Sequence, residues 1–234
     1  MFLDQQPVGV FACPKSLTED GLEMQIGVNH FGHFLFTCLL LPRIISSAPA
    51  RIINLSSVAH LGAKLDFEDM NCEKYYNSVT AYARSKLANI LFTKELAIRL
   101  KGTGVTTYAV HPGIIDTNIS RHLNISFFRG ARWLFKYFTS KTEEQGSQTT
   151  LHCALDEEVS NESGHYYRCE LFHTHTLSNT RNTKNTDNCR KASSSLRSKD
   201  PELASRMWQE SVRIVGLGER DPVCVKDQDP ASTR

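Results

Sequence analysis

An α/β fold built on a parallel sheet is the architecture this sequence predicts. Two short β-branched runs, Arg51–Ser56 and Val105–Val110, read as buried strands. Long stretches of helical periodicity lie before, between and after them. Strand and helix therefore alternate along the chain, the order expected when crossover helices join parallel strands.

The elements follow in chain order. Ser16-Leu-Thr-Glu19 has the form of a capping box, and Pro42 would close the helix that it opens, so a helix is predicted over 18–42. Within it Leu22, Ile26, Asn29, His33, Phe36 and Leu40 fall at steps of four and three. That spacing makes one inward stripe and turns Asn29 toward apolar neighbours, where its amide needs partners. The strand over 51–56 comes next, with Ser57 just past its carboxyl end. A second helix runs from Thr80 to Leu100 and ends in Arg99, Lys101 and Gly102, a C-terminal signature. The strand over 105–110 is stopped by His111-Pro112-Gly113. A helix over 142–155 and a small strand at 165–167 follow.

Residues 174–188 are polar and nearly free of core formers, so disorder is expected there. Leu203, Met207, Trp208, Val212 and Val215 then mark an amphipathic helix. The domain organisation predicted is one domain over 1–167, a polar insert over 168–200, a helix of the same domain over 201–217, and a tail over 218–234.

Composition narrows the function classes. The 234 residues are 40% hydrophobic and 22% charged with a net charge of +2, which gives no reason to expect nucleic acid or an acidic membrane as partner. Seven scattered cysteines without a Cys-x-x-Cys pair fit a reducing compartment and core thiols. Asn54 begins an Asn-x-Ser sequon inside an expected buried strand, so that sequon reads as a chance match. The longest apolar stretch, Phe34–Leu41, is shorter than the ~18 residues that span a bilayer, and no membrane anchor is expected in this chain. A cytoplasmic location is expected.

Tyr82 and Lys86 stand four residues apart on a helix, so both side chains face the same way. A free phenol titrates near ~10, and a neighbouring ammonium favours the phenolate. With the Ser57 hydroxyl to hold an oxygen and Asn29 to support a water relay, these groups suit a carbonyl/alcohol oxidoreductase. Each feature has a plainer reading: a surface i,i+4 pair, a turn serine, a structural asparagine. Their joint order along strand and helix is what favours the chemistry. A metal reading of His30 with His33, or of His173 with His175, is disfavoured.

The residues that carry this order resemble the short-chain dehydrogenase/reductase family, and within it the retinol dehydrogenase branch. The resemblance rests on Gly27-Val-Asn29-His-Phe-Gly32, Arg51-Ile-Ile-Asn-Leu-Ser-Ser57, Tyr82-Ala-Arg-Ser-Lys86-Leu-Ala-Asn and His111-Pro112-Gly113. It covers residues 8–167 and 190–217. It implies that Asn29, Ser57, Tyr82 and Lys86 form the catalytic set, with Tyr82 as acid/base. Lys86 would also hold the nicotinamide ribose, and Pro112, Gly113 and Thr117 would lie along the nicotinamide. The implied cofactor is NADP and the implied substrate a lipophilic, retinal-like aldehyde or its alcohol. Residues 114–137, with Phe127, Phe128, Trp133 and Phe135, read equally as a lipophilic lid or as an ordinary amphipathic helix.

Family members carry a Thr-Gly-x-x-x-Gly-x-Gly turn that cradles the pyrophosphate. No such sequence occurs here, and Gln5-Gln6-Pro7-Val8-Gly9 stands where the family has Asn-Asn-Ala-Gly. The expectation is thus a partial Rossmann fold, a doubly wound parallel sheet lacking its first strands and the Gly-rich turn. The strand that ends before Ser57 would keep an unpaired side. A homodimer, or a heterodimer with a related dehydrogenase formed through the two long helices without turnover, is the alternative to catalysis.

Overall fold

A computed structural model describes residues 9–113, 143–169, 189–218 and 223. Helix α1 covers Met24–Ser46. Its start is not the Ser16–Glu19 capping box. Thr18 and Leu22 instead close a tight turn, with the Thr18 N–H donating to the Leu22 carbonyl at 2.8 Å, and Gly21 adopts φ +76°. Two residues further on, the Glu23 carboxylate accepts from the amides of Gln25 and Ile26 and caps the helix. Pro42 does not close α1 either; it lies inside the helix, which runs on to Ser46.

Between Gly27 and Gly32 the helix widens into a π turn. The wider turn takes an extra residue and rotates everything after it. Ile26 and Asn29 face inward as the spacing predicts, but beyond the π turn the buried residues are Phe34, Thr37, Cys38, Leu41 and Ile44. His33 and Leu40 are only half-buried and Phe36 is 46% exposed, so the predicted stripe fails in its second half. Met24–Ser46 is long and apolar enough to cross a membrane by length and composition. Its apolar stripe is taken up by the core: Phe34, Cys38, Leu41 and Ile44 pack with Phe92, Leu96 and Trp208.

Strand β1 (Ala50–Leu55) pairs in parallel with β2 (Val105–His111), and β2 pairs in parallel with β3 (His165–Cys169). The crossover between β1 and β2 is α2 (Ser78–Arg99), capped by the Asn77 carboxamide, which accepts from the Thr80 amide at 3.0 Å. Helix α3 (Glu143–Leu155) precedes β3. Alternate residues of β1 serve opposite layers. Ala50 and Ile52 join the core with α1, α2 and Trp208, whereas Ile53 and Leu55 pack toward Tyr108, Cys153 and Tyr167. The result is a three-layer α/β/α arrangement. Asn54 is buried at 3% exposure with its amide on the Thr93 hydroxyl, so its sequon is enclosed.

The expected polar insert over 168–200 is ordered at both ends. Strand β3 runs to Cys169, and β4 (Cys189–Lys191) adds to it antiparallel, giving the sheet order β1-β2-β3-β4. A short 3-10 turn at Arg197–Lys199 leads into α4 (Pro201–Ile214), capped by the Asp200 carboxylate. Residues 170–188 lie outside the described set. Polar composition hid β4 because its stability comes from pairing with β3 rather than from burial of its own side chains. Trp208 of α4 packs edge-on to Phe34 at 5.0 Å, and the Arg99 guanidinium lies 4.3 Å above it.

The π turn makes a direct prediction for α1. Phe34→Ala, fully buried, should destabilise the chain by about 3–5 kcal/mol, and Phe36→Ala by less than about 1 kcal/mol. Denaturant unfolding measures both. Equal losses would contradict the shifted register.

Candidate active site

The parallel pairing of β1 and β2 brings their carboxyl ends together. The Ser56 amide donates to the Val110 carbonyl at 2.7 Å, so Ser57 emerges beside His111-Pro112-Gly113. Gly113 takes φ +92°, a conformation that glycine adopts without strain. Thr117 and the Phe- and Trp-rich stretch after it lie outside the described residues.

Helix α2 turns Tyr82 and Lys86 onto this end of the sheet, both buried. The Lys86 Nζ sits 5.5 Å from the centre of the Tyr82 ring and donates to the carbonyl of Leu55, the last residue of β1, at 3.2 Å. The Ser57 hydroxyl hydrogen-bonds the Tyr82 phenol. Its oxygen also accepts from the Ala59 amide at 3.3 Å, which holds the side chain in one direction. Phe11 packs edge-on against the Tyr82 ring at 4.5 Å. Burial pushes the Tyr82 phenol above its ordinary value, and the Ser57 hydrogen bond pulls it back. Burial pushes Lys86 down to about 8. A phenol, a hydroxyl and an ammonium close to neutrality thus meet at one point, able to hold an oxygen atom and exchange a proton with it.

Asn29 lies on the π turn, but its carboxamide does different work from the expected one. Its oxygen accepts from the Val10 amide at 2.9 Å; its nitrogen donates to the Val10 carbonyl at 2.9 Å and the Ser85 hydroxyl at 3.0 Å. Both amide hydrogens are thereby committed to protein. The main-chain carbonyl of Asn29 accepts from the Asn89 side chain at 3.0 Å.

Asn89 is the residue that the sequence reading missed. Its amide nitrogen also donates to the Leu55 carbonyl at 2.9 Å, the same oxygen that Lys86 uses. The signal was present: Tyr82, Lys86 and Asn89 fall at steps of four and three on one face of α2. With the Asn89 nitrogen turned to two carbonyls, its oxygen points at His30 Nδ1, 3.1 Å away. His30 Nδ1 therefore carries the proton, and Nε2 lies 2.9 Å from the Ser211 hydroxyl of α4. Full burial lowers His30 to about 4, so it is a neutral member of the core.

A largely parallel sheet flanked by helices, with Ser57, Tyr82 and Lys86 gathered at its carboxyl end, is the doubly wound α/β architecture, which takes ligands at its strand ends. The family model for short chain dehydrogenases matches residues 9–126, and the chain belongs to that family. Within it the chain is similar to retinol dehydrogenases. Retinol dehydrogenase 11 of Homo sapiens is 46% identical over 209 residues, which cover 89% of this chain and 59% of that protein. Retinol dehydrogenase 12 of Bos taurus is 48% identical over 210 residues, with the same coverage of 89% and 59%. The chain thus spans about three fifths of the length of these relatives. Among solved structures, an uncharacterized protein from Mycobacterium Paratuberculosis superposes with a TM-score of 0.65 at 30% identity, covering 89% of this chain and 64% of that one. A 4-hydroxyisoleucine dehydrogenase complexed with NADH gives 0.52 at 19% identity over 72% of this chain and 66% of that one, a likeness of fold alone.

His30 makes stability pH-dependent with a defined sign. Its folded value of about 4 lies below the 6.5 of the unfolded chain, so the unfolded state takes up the proton first. Stability is fully present above pH 6.5 and is lost as pH falls toward 4, a difference of about 3 kcal/mol. Urea midpoints of wild type and His30→Gln across that window should show the variant without this part of the slope.

Proposed function

We propose that this chain carries the acid–base machinery of an NADP-dependent oxidoreductase of the retinol dehydrogenase type, interconverting lipophilic aldehydes and alcohols. The observation that carries the reading is the convergence of Ser57, Tyr82 and Lys86 at the carboxyl ends of β1 and β2, where open α/β sheets bind ligands. The similarity to retinol dehydrogenases supports the substrate class, and the NADP form of the cofactor is what the family resemblance implies.

The described residues fit the nicotinamide-ribose end of such a cofactor, with Lys86 for the ribose hydroxyls and Pro112 and Gly113 along the ring; Thr117 is assigned to the ring by the family resemblance alone. The sequence contains no Thr-Gly-x-x-x-Gly-x-Gly turn for the pyrophosphate. When bound, the cofactor supplies a hydride to the carbonyl carbon. The chain's own residues manage the oxygen. Ser57 donates a hydrogen bond to it, and Tyr82 delivers its phenolic proton as negative charge grows there. Lys86, close above the ring, favours the phenolate left behind. Asn29 contributes through its main-chain carbonyl, which the Asn89 amide ties to the Leu55 carbonyl that holds Lys86, and which can anchor a water that returns the proton. In the alcohol-to-aldehyde direction the same proton leaves to Tyr82.

Titration of the purified chain with NADPH, followed by its fluorescence, is the first test, and saturable binding is expected. With a retinal-type aldehyde, Tyr82→Phe and Lys86→Ala should each lower kcat by about 10²–10⁴-fold. Full activity in either variant removes that residue from the mechanism, and no NADPH binding by the folded chain rules out catalysis by this chain alone.

One observation favours a second reading, a homologue that pairs with itself or with a full-length relative. The π turn leaves Phe36 and Leu39 on the outer face of α1, 46% and 63% exposed, and Ile98 of α2 is 60% exposed. Sedimentation of the chain, alone and mixed with a retinol dehydrogenase, should then show a dimer that Phe36→Glu with Leu39→Glu dissociates. A monomer in both samples ends this reading.

A further inference from the structure

Ser57 is held from its carbonyl side by a residue that takes no part in the scheme above. His60 lies in the 3-10 turn Val58–Gly62 that follows β1. Its main-chain N–H donates to the Ser57 carbonyl at 3.1 Å, and its ring Nδ1 donates to the same oxygen at 2.6 Å. The imidazole is 1% exposed, and burial lowers its pKa, so it is neutral. With Nδ1 as donor, Nε2 is left to accept, and it accepts from the Ser195 amide at 3.2 Å. Both ring nitrogens are therefore satisfied by one tautomer.

Ser195 belongs to a closely bonded strap. The Ser198 amide donates to the Ser195 hydroxyl oxygen at 3.2 Å, and the Ser198 hydroxyl donates to the Ser195 carbonyl at 2.7 Å. Arg197 reaches from the strap to the Ala63 carbonyl at 3.1 Å, just past the same 3-10 turn. Tyr166 of β3 packs edge-on to the imidazole at 5.0 Å and walls it in. The last part of the polar insert thus returns to the loop bearing Ser57.

We infer that His60 is a positioning residue for Ser57, and that the Ser193–Lys199 strap reaches the active site through it. The Ser57 hydroxyl is shared between the Ala59 amide and the Tyr82 phenol, so its direction depends on the orientation of its own peptide. His60 clamps that peptide by its carbonyl. Without the clamp the peptide can turn, and Tyr82 loses the hydroxyl that favours its ionised form. The inference rests on the reading of Ser57 and Tyr82 as the groups that handle the reacting oxygen.

The test needs neither turnover nor cofactor. 3-Fluorotyrosine at position 82 in the full chain lets ¹⁹F NMR follow ionisation of that phenol alone. His60→Leu should raise its midpoint by about one unit, the loss of one hydrogen bond to an ionised oxygen. His60→Asn, whose amide N–H can stand where Nδ1 stands, should keep the wild-type midpoint. An unmoved midpoint in folded His60→Leu overturns the inference, as does a shift in His60→Asn as large as that in His60→Leu. If His60→Leu fails to fold, ¹⁵N NMR of the wild-type imidazole decides together with His60→Asn: a proton on Nε2 overturns the inference, whereas a proton on Nδ1 with an unshifted His60→Asn upholds it. A chain that shows these shifts but binds no NADPH would sink the proposed activity and leave the role of His60 standing.

Discussion

The carbonyl oxygen of Leu55 is the point on which the site depends. It is the last carbonyl of β1, and it accepts from both the Lys86 ammonium and the Asn89 amide. A carbonyl oxygen has two lone pairs, and both are used here by donors from one helix. The position of α2 against the sheet is thereby locked at the level of Tyr82. Ser57, two residues beyond Leu55, is delivered to the phenol by the same register. The Ser56 hydroxyl adds a tie in the opposite direction, donating to the Lys86 carbonyl at 2.8 Å.

Around this centre lies a buried polar chain that runs from Ser211 through His30 and Asn89 to Asn29 and Leu55. Buried polar groups are costly unless each finds a partner, and a satisfied network fixes one arrangement of the elements that supply it. Here it joins α4, α1, α2 and β1. The π turn in α1 is what makes the geometry possible. It presents Asn29 to Val10 on one side and its carbonyl to Asn89 on the other. The same widening displaces Phe36 to the surface and seats Phe34 against Trp208. A single local irregularity thus serves both the site and the core.

The chain from Cys189 to α4, which begins within the polar insert, is more closely joined to this centre than its composition implies. Strand β4 extends the sheet, the 193–199 strap bonds to the 3-10 turn after Ser57, and α4 supplies Trp208 and Ser211. Residues far apart in sequence therefore complete the surroundings of a site whose acid–base groups lie between positions 57 and 86. The matched retinol dehydrogenases are longer, and the chain spans 59% of their length.

The sequence by itself determined the alternation of strand and helix, the ends of α2 and β2, and the shared face of Tyr82 and Lys86, while Ser57 joined them through the family resemblance. These follow from short-range rules: β-branched runs, an i,i+4 spacing, a C-terminal cationic turn before glycine. It did not reveal where α1 begins, because the Glu23 carboxylate competes with the Ser16 box and Gly21 turns the chain first. Nor did it reveal the π turn, which breaks the 3.6-residue period on which the stripe argument rests. The commitment of the Asn29 amide to Val10, and the link from Ser57 through His60 to Ser195, were decided only by tertiary structure. Each pairs donors and acceptors from separate segments, 19 residues apart for Asn29 and 135 for His60. Local periodicity holds no information about such pairs; they form because burial leaves those polar groups no water to turn to.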